Sequence, residues 1–280
     1  NLSTYRGGEL DFYLLQEYDT SSAEWLSPEK WRMGDSCFES SLTDGRRRLR
    51  VDIDAPVPGS EGRIIGTVEL DGPARRPEGR EALPDDLPPH DWTPLVAPVS
   101  GRADFEYPDG TTTSLRGRAY HDRNGGAVPL GELGMSHWIW GRAPFEDREV
   151  IYYVLWPAAE PSEPVVLGLS IDAEGETERY DDVEVDLGGE SRNLGGLRWW
   201  ERLTLRRGGD EWLEVHHRHA PESGPFYMRY VTRAASRDGQ TTTGVGELCQ
   251  PDRVDLGRHR PLVNMRVHRA DGRNSMWLPL

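Results

Sequence analysis

Residues 116–126, RGRAYHDRNGG, set Tyr120, His121 and Asp122 side by side. On an extended strand, Tyr120 and Asp122 share one face and His121 takes the other. An aspartate in an apolar cavity has its pKa raised, because burial disfavours the charged form. It then holds a proton at neutral pH and can deliver it, with a neighbouring phenol as hydrogen-bond partner. The plainer reading is a polar strand end feeding a type I′ turn at Asn124-Gly125-Gly126, since Asn and Gly accept positive φ.

Two aromatic stretches offer surroundings for such an acid. In HDWTPLVAP, His90 and Trp92 lie two apart and flanking prolines stiffen the segment. In SHWIWGRA, Trp138, Trp140 and Arg142 continue one strand face. Such residues form an ordinary aromatic core or an apolar cavity whose indole faces stabilise positive charge. VHHRH places His217 and His219 on one strand face, a pattern that zinc or copper uses, but no third ligand stands at a recognisable spacing. A polar strand face is the expectation there, with no metal. The chain carries no phosphate loop, no G-x-G-x-x-G and no G-x-S-x-G, which counts against phosphoryl transfer, hydride transfer and serine hydrolysis.

The elements that must position these groups read as strands. RRRLRVDID, GRIIGTVEL and RADFEYPDG alternate apolar and polar residues, and EVIYYVLWP is a nearly continuous apolar strand. The second half repeats the style, with Gly-Gly, Gly-Asp and Asp-Gly turns between strands. SPEKWRMG and part of QPDRVDLGRH read as short helices, and RRPEGREALPDDLPPHD as a long surface loop. The spacing predicts antiparallel barrels or sandwiches. PAAEPSEP, residues 157–164, is Pro- and Glu-rich and divides the chain near its middle, which predicts two β-rich domains, 1–157 and 158–280.

The net charge of −15 argues against a nucleic-acid partner. Lys30 is the only lysine among 33 basic residues, a bias that a GC-rich genome produces without functional demand. Cys37 and Cys249 lack a framework spacing and fit a reducing compartment, with one long-range disulfide left open. No window has the apolar run of a membrane span, and no signal-peptide pattern begins at Asn1, so a cytoplasmic protein is expected.

The three stretches HDWTPLVAP, GRAYHDRNGG and WIWGRA, in that order, resemble the carotenoid 1,2-hydratase (hydroxyneurosporene synthase) family. Its pattern is roughly His-x-Trp-x-Pro-hydrophobic-Ala-Pro, then Gly-x-Gly-Tyr-x-Asp-x-Asn-x-Gly, then Trp-x-Trp-x-Arg. Here Gly117 opens the second block and Ala119 replaces its other glycine. LRVDIDAPVPGSEGRIIGTVEL, ESGPFYMRY and GVGELCQPDRVDLGRHRPLVNMRV continue the likeness, from about residue 35 to about residue 268. The family belongs to a wider lipocalin-like group that includes some Diels–Alderases and cyclases.

The resemblance implies an all-β fold of two packed lipocalin-like antiparallel β-barrel domains, with the first carrying the motifs. It implies no metal and no organic cofactor. Carried over residue by residue, it gives His90, Trp92, Tyr120 and Asp122 as catalytic. Trp138, Trp140, Arg142 and Asn124 are the expected substrate-binding residues. Asp122 would protonate a terminal isoprenoid double bond, Trp92 would offer its ring face to the cation, and His90 or Tyr120 would position the water. The partner implied is a hydrophobic small molecule, and a carotenoid substrate leaves peripheral membrane contact open. Other readings on the same scaffold are an acid-triggered terpenoid cyclase, a pericyclase and a non-catalytic carrier.

Overall fold

The computed structural model describes residues 1–16, 18–76, 90–126, 128, 130–158, 163–254, 259, 265–268 and 275–277. The expected surface loop falls largely on residues 77–89, outside the described residues. Chain organisation is all-β, and among the described residues the helical turns are three-residue 3-10 pieces such as Pro251–Arg253. Strands β1 (Leu2–Arg6) and β2 (Glu9–Gln16) form an antiparallel hairpin.

Seven strands then pair in chain order. They are β3 (Ala23–Ser27), β4 (Lys30–Met33), β5 (Ser36–Thr43), β6 (Arg46–Pro56), β7 (Arg63–Pro73), β8 (His90–Glu106) and β9 (Thr112–Gly126). The period-two pattern of β6 and β7 does what it predicts. Leu49 and Leu70 are buried with Val96 and Val99, while Arg48, Arg50, Glu69 and Asp71 pair with one another on the other face. The sheet curls, because Phe38 of β5 and His121 of β9 bring their rings within 5.8 Å across the three strands between them.

A second sheet contains β10 (Met135–Pro144), β11 (Arg148–Pro157), β12 (Val165–Asp172), β13 (Thr177–Tyr180), β14 (Val183–Arg192), β15 (Arg198–Arg207), β16 (Asp210–Ser223), β17 (Tyr227–Ser236) and β18 (Thr241–Cys249). Its order is β13-β12-β11-β10-β18-β17-β16-β15-β14, so the edge strands are neighbours in the chain, joined through Asp181 and Asp182. Edges held that close force the sheet to curl. Tyr180 of β13 accordingly packs edge-on to Trp212 of β16, under the Arg207 guanidinium of β15. This is the expected all-β architecture, with two large curled antiparallel sheets. Near the end of the chain, β19 (Met265–His268) runs parallel to β2, and β20 (Ser275–Trp277) pairs with β19.

Three local expectations are corrected. SPEKWRMG is not a helix but the β3–β4 hairpin, where Trp25 pairs with Trp31 and Trp31 stacks on Phe38 at 4.0 Å. Aromatic cross-strand pairing outweighs a weak helical pattern there. Asn124-Gly125-Gly126 is not a turn. These residues pair with Trp92, Asp91 and His90, because β8 extends far enough to continue the ladder. The boundary expected at residues 157–164 does not separate the sheets either. Strands β11 and β12 flank that stretch and pair with each other antiparallel, so the chain stays in one sheet across it. The sheets divide between β9 and β10 instead. Proline and glutamate mark a connection between neighbouring strands as readily as a linker.

Candidate active site

Strand β9 carries Tyr120, Asp122 and Asn124 on one face, as period two requires. Opposite them on β8, Trp92 pairs in register with Asn124 and Pro94 with Asp122. The ladder shifts register at Pro94/Val96, which fits a proline that cannot donate to it. The result is a carboxylate with three donors. Trp92 Nε1 donates to Asp122 Oδ2 at 2.9 Å, and the Tyr120 hydroxyl donates to the same oxygen at 3.1 Å. Asn124 Nδ2 donates to Oδ1 at 3.3 Å.

The second sheet covers this group. Cross-strand partners in an antiparallel sheet share a face, so Trp138, Trp140 and Arg142 of β10 stand beside Leu155, Tyr153 and Ile151 of β11. Trp92, 1% exposed, sits edge-on to Tyr153 with ring centroids 5.5 Å apart, and Trp138 also meets Tyr153 edge-on. Tyr120 and Trp140 rings lie 5.7 Å apart. Trp92, Trp138, Tyr153 and the aliphatic residues of β11 and β12 form one cluster, with Tyr120 and Trp140 packed against it.

Burial in this cluster pushes the Asp122 carboxyl above the ordinary carboxylate range, against the three donors, which favour the ionised form. The Tyr120 phenol is held well above its usual value, first by burial and then by the Asp122 charge. Arg142 stands with its guanidinium 5.1 Å from the Tyr120 ring centroid, and its Nε donates at 2.7 Å to Glu149, which is fully buried. A resident cation therefore already occupies one face of Tyr120.

The structure thus brings together Trp92, Tyr120, Asp122 and Asn124, and lays Trp138, Trp140 and Arg142 against them. The side chain of His90 lies outside the described residues; its backbone pairs with Gly126 at the end of the ladder. Trp92 is held by its N–H and its edge within packed side chains, so the ring face expected for a cation is not open. His121 points into the curl of the first sheet, where burial lowers its pKa to about 4. His217 and His219 part ways at a bulge. His217 stacks on Tyr230 and bonds the Trp200 carbonyl, while His219 meets Glu9. Cys37 and Cys249 are both free thiols. A depression of about 990 Å³ on the charged face of the first sheet, lined by residues such as Arg50, Glu69, Arg102 and Arg116, does not include Asp122.

Sequence reasoning missed Tyr153 and Glu149. Both sit in a run that read as plain core. Their cross-strand relation to Trp140 and Pro144 appears only once register is known.

A family model for the carotenoid hydratase CrtC matches residues 21–276 of this chain. A hydroxyneurosporene dehydrogenase from Chlorobaculum tepidum is 30% identical over 169 residues, covering 59% of this chain and 44% of that protein. An acyclic carotenoid 1,2-hydratase from Rhodobacter capsulatus is 28% identical over 235 residues, covering 83% of this chain and 77% of that one. The match therefore spans less than half the length of the Chlorobaculum protein. Among solved structures, kievitone hydratase from Nectria haematococca aligns over 77% of this chain and 87% of its own, with a TM-score of 0.37 and 10% identity. No helix among the described residues is long and apolar enough to cross a membrane.

Proposed function

The chain belongs to the carotenoid hydratase CrtC family, and on that premise we propose that it adds water to a terminal C=C bond of an acyclic isoprenoid, with Asp122 as proton donor. The observation that carries this reading is the Asp122 carboxyl itself, desolvated enough to be raised in pKa yet surrounded by donors. Desolvation shifts the balance toward the protonated acid before reaction. The donors Trp92, Tyr120 and Asn124 then stabilise the carboxylate once the proton has left. Both oxygens are used differently. Oδ2 accepts two hydrogen bonds, so the transferable proton belongs on Oδ1, whose partner is the longer Asn124 contact.

The alkene π pair takes that proton, forming a C–H bond at the less substituted carbon. Positive charge develops on the carbon bearing two methyl groups. Tyr120 and Trp140, both half-buried with rings 5.7 Å apart, offer ring faces beside the acid, and the Arg142 guanidinium restricts which face of Tyr120 a cation can approach. Water oxygen bonds the cation and loses a proton, giving a tertiary alcohol. Trp92 serves in this reading to hold Asp122 rather than to face the cation.

The test is conversion of neurosporene, whose hydroxylated form gives the Chlorobaculum relative its name, in deuterated, ¹⁸O-labelled water. Hydration places both labels in the product. Cyclisation ending in proton loss incorporates deuterium alone, and a pericyclic reaction incorporates neither. Asp122→Asn, nearly the same shape but without a transferable proton, is expected to lose roughly 10²–10⁴ in rate. Full activity of that variant, with no solvent deuterium in the product, would remove Asp122 as the acid.

A further inference from the structure

A second carboxyl stands in the sheet that covers Asp122, two strands from Tyr153. Glu247 of β18 pairs directly with Trp140 of β10, and Trp140 pairs with Tyr153 of β11. Arg229 of β17 pairs with Glu247 from its far side. These four residues form one row across four strands, on the face that covers Asp122. Tyr227, which packs against the Trp92–Trp138 cluster, donates its hydroxyl to Glu247 Oε2 at 2.7 Å. Arg229 in turn donates to the Tyr227 oxygen at 2.5 Å and pairs with Glu222, which also accepts from Tyr5 of β1. The chain of donors is directional: guanidinium to phenol to carboxylate.

We propose that Glu247, oriented by Tyr227 and Arg229 and paired with Trp140 on the face that covers Asp122, is the base that takes the proton from the attacking water; this rests on the hydration reading above. Hydration needs a donor to carbon and an acceptor for the water proton, and two separated carboxyl groups supply both without either changing role within one addition. Asp122 loses a proton to the alkene as the C–H bond forms. The water oxygen bonds the cation, and its proton passes to Glu247. Exchange through solvent returns one proton from Glu247 to Asp122, so the cycle consumes one water and one alkene and closes.

Two further observations fit this placement. The Trp140 indole N–H, on the residue paired with Glu247, is buried and has no hydrogen-bond partner among the described residues. It can orient a water oxygen whose hydrogen points to a carboxylate. The Tyr153 phenol is held well above its usual value, first by burial and then by the charges of Glu247, Cys249 and Asp122. Burial also raises the Tyr227 phenol, which keeps it protonated and donating throughout.

The experiment uses the full chain with neurosporene in deuterated water and compares Glu247→Gln, Tyr227→Phe and Asp122→Asn. If Glu247 acts after protonation, Glu247→Gln still forms the cation but captures it slowly, and the cation returns by losing a proton. Hydration should then fall at least about a hundredfold, while recovered neurosporene, or its isomer with a terminal methylene, gains deuterium. Tyr227→Phe should show the same pattern more weakly, about tenfold, and serves if Glu247→Gln does not fold. Asp122→Asn should show neither hydration nor exchange. Hydration by Glu247→Gln at the unmodified rate overturns the assignment of Glu247. So does loss of hydration without exchange into recovered substrate, since Glu247 would then be needed before the cation forms. If Glu247→Gln does not fold, hydration by Tyr227→Phe at the unmodified rate overturns it. Continued exchange in Asp122→Asn overturns instead the role given to Asp122, and with it the pairing.

Discussion

At the scale of residues, the candidate site turns on opposing influences on one carboxyl. Burial raises the pKa of Asp122, and hydrogen bonds from Trp92, Tyr120 and Asn124 lower it. Removing a donor therefore raises it further. For activity that needs the protonated acid, the rate is full at low pH and falls as pH passes through the folded-state pKa. Tyr120→Phe is expected to move that falling limb to higher pH while lowering the maximal rate, because the carboxylate formed is less stabilised. A pH–rate profile of the variant beside the parent checks the direction. A limb unmoved or shifted to lower pH would mean that Tyr120 does not bear on the group that titrates. The same sign reasoning applies to stability. A carboxyl raised in the fold contributes stability below its unfolded pKa and loses it as pH rises through the folded value. Asp122→Asn should therefore unfold at a temperature no lower than the parent above that range.

At the scale of elements, β10 and β11 are constrained on both faces. Trp138, Trp140, Arg142, Ile151 and Tyr153 face the site; Ile139, Tyr152 and Val154 face the core of the second sheet. Gly141 is fixed by this arrangement, since a Cβ there would run into the Tyr152 phenol from the paired strand. Gly141→Ser is expected to destabilise by about 1–3 kcal/mol, as overpacking does, read as a lower unfolding temperature. Tyr152→Phe added to it should recover part of the loss. A Gly141→Ser protein as stable as the parent would show that Tyr152 moves aside freely. Much of this was legible in advance. Alternation marked the strands, and three spaced motifs pointed to Trp92, Tyr120 and Asp122. Register was not legible. Asn124-Gly125-Gly126 reads as a turn by composition and is a strand because β8 extends to meet it. Glu149, Tyr153 and Glu247 join the site through pairings between strands, which no local window contains.

At the scale of the whole molecule, the two large sheets meet around the site, each contributing part. The first supplies Asp122 and its hydrogen-bond donors, and the second the aromatic wall. The sequence boundary at residues 157–164 would assign β10 and β11 to the first unit, yet their ladders lie with β12 and β18. A fragment of residues 158–280 should consequently lack cooperative unfolding, since it exposes the edges of β12 and β18 where two central strands belong. A fragment that begins at residue 130 keeps the sheet intact and should unfold cooperatively. Circular dichroism melts of both decide it, and a cooperative transition from the shorter piece would contradict the topology. In either outcome, the site requires both sheets in one molecule.

The two-sided burial of β10 and β11 also limits how this protein can change. Along these strands odd and even positions serve the aromatic wall of the site and the core by turns, so inserting or deleting one residue would exchange the two sets. Aromatic rings of the wall would enter the core, and Arg142 would be carried in with them. Variation in what the site accepts is thereby confined to exchanges of side chain at fixed chain length in these strands, while changes of length must fall in the connections, where the ladder does not keep the phase.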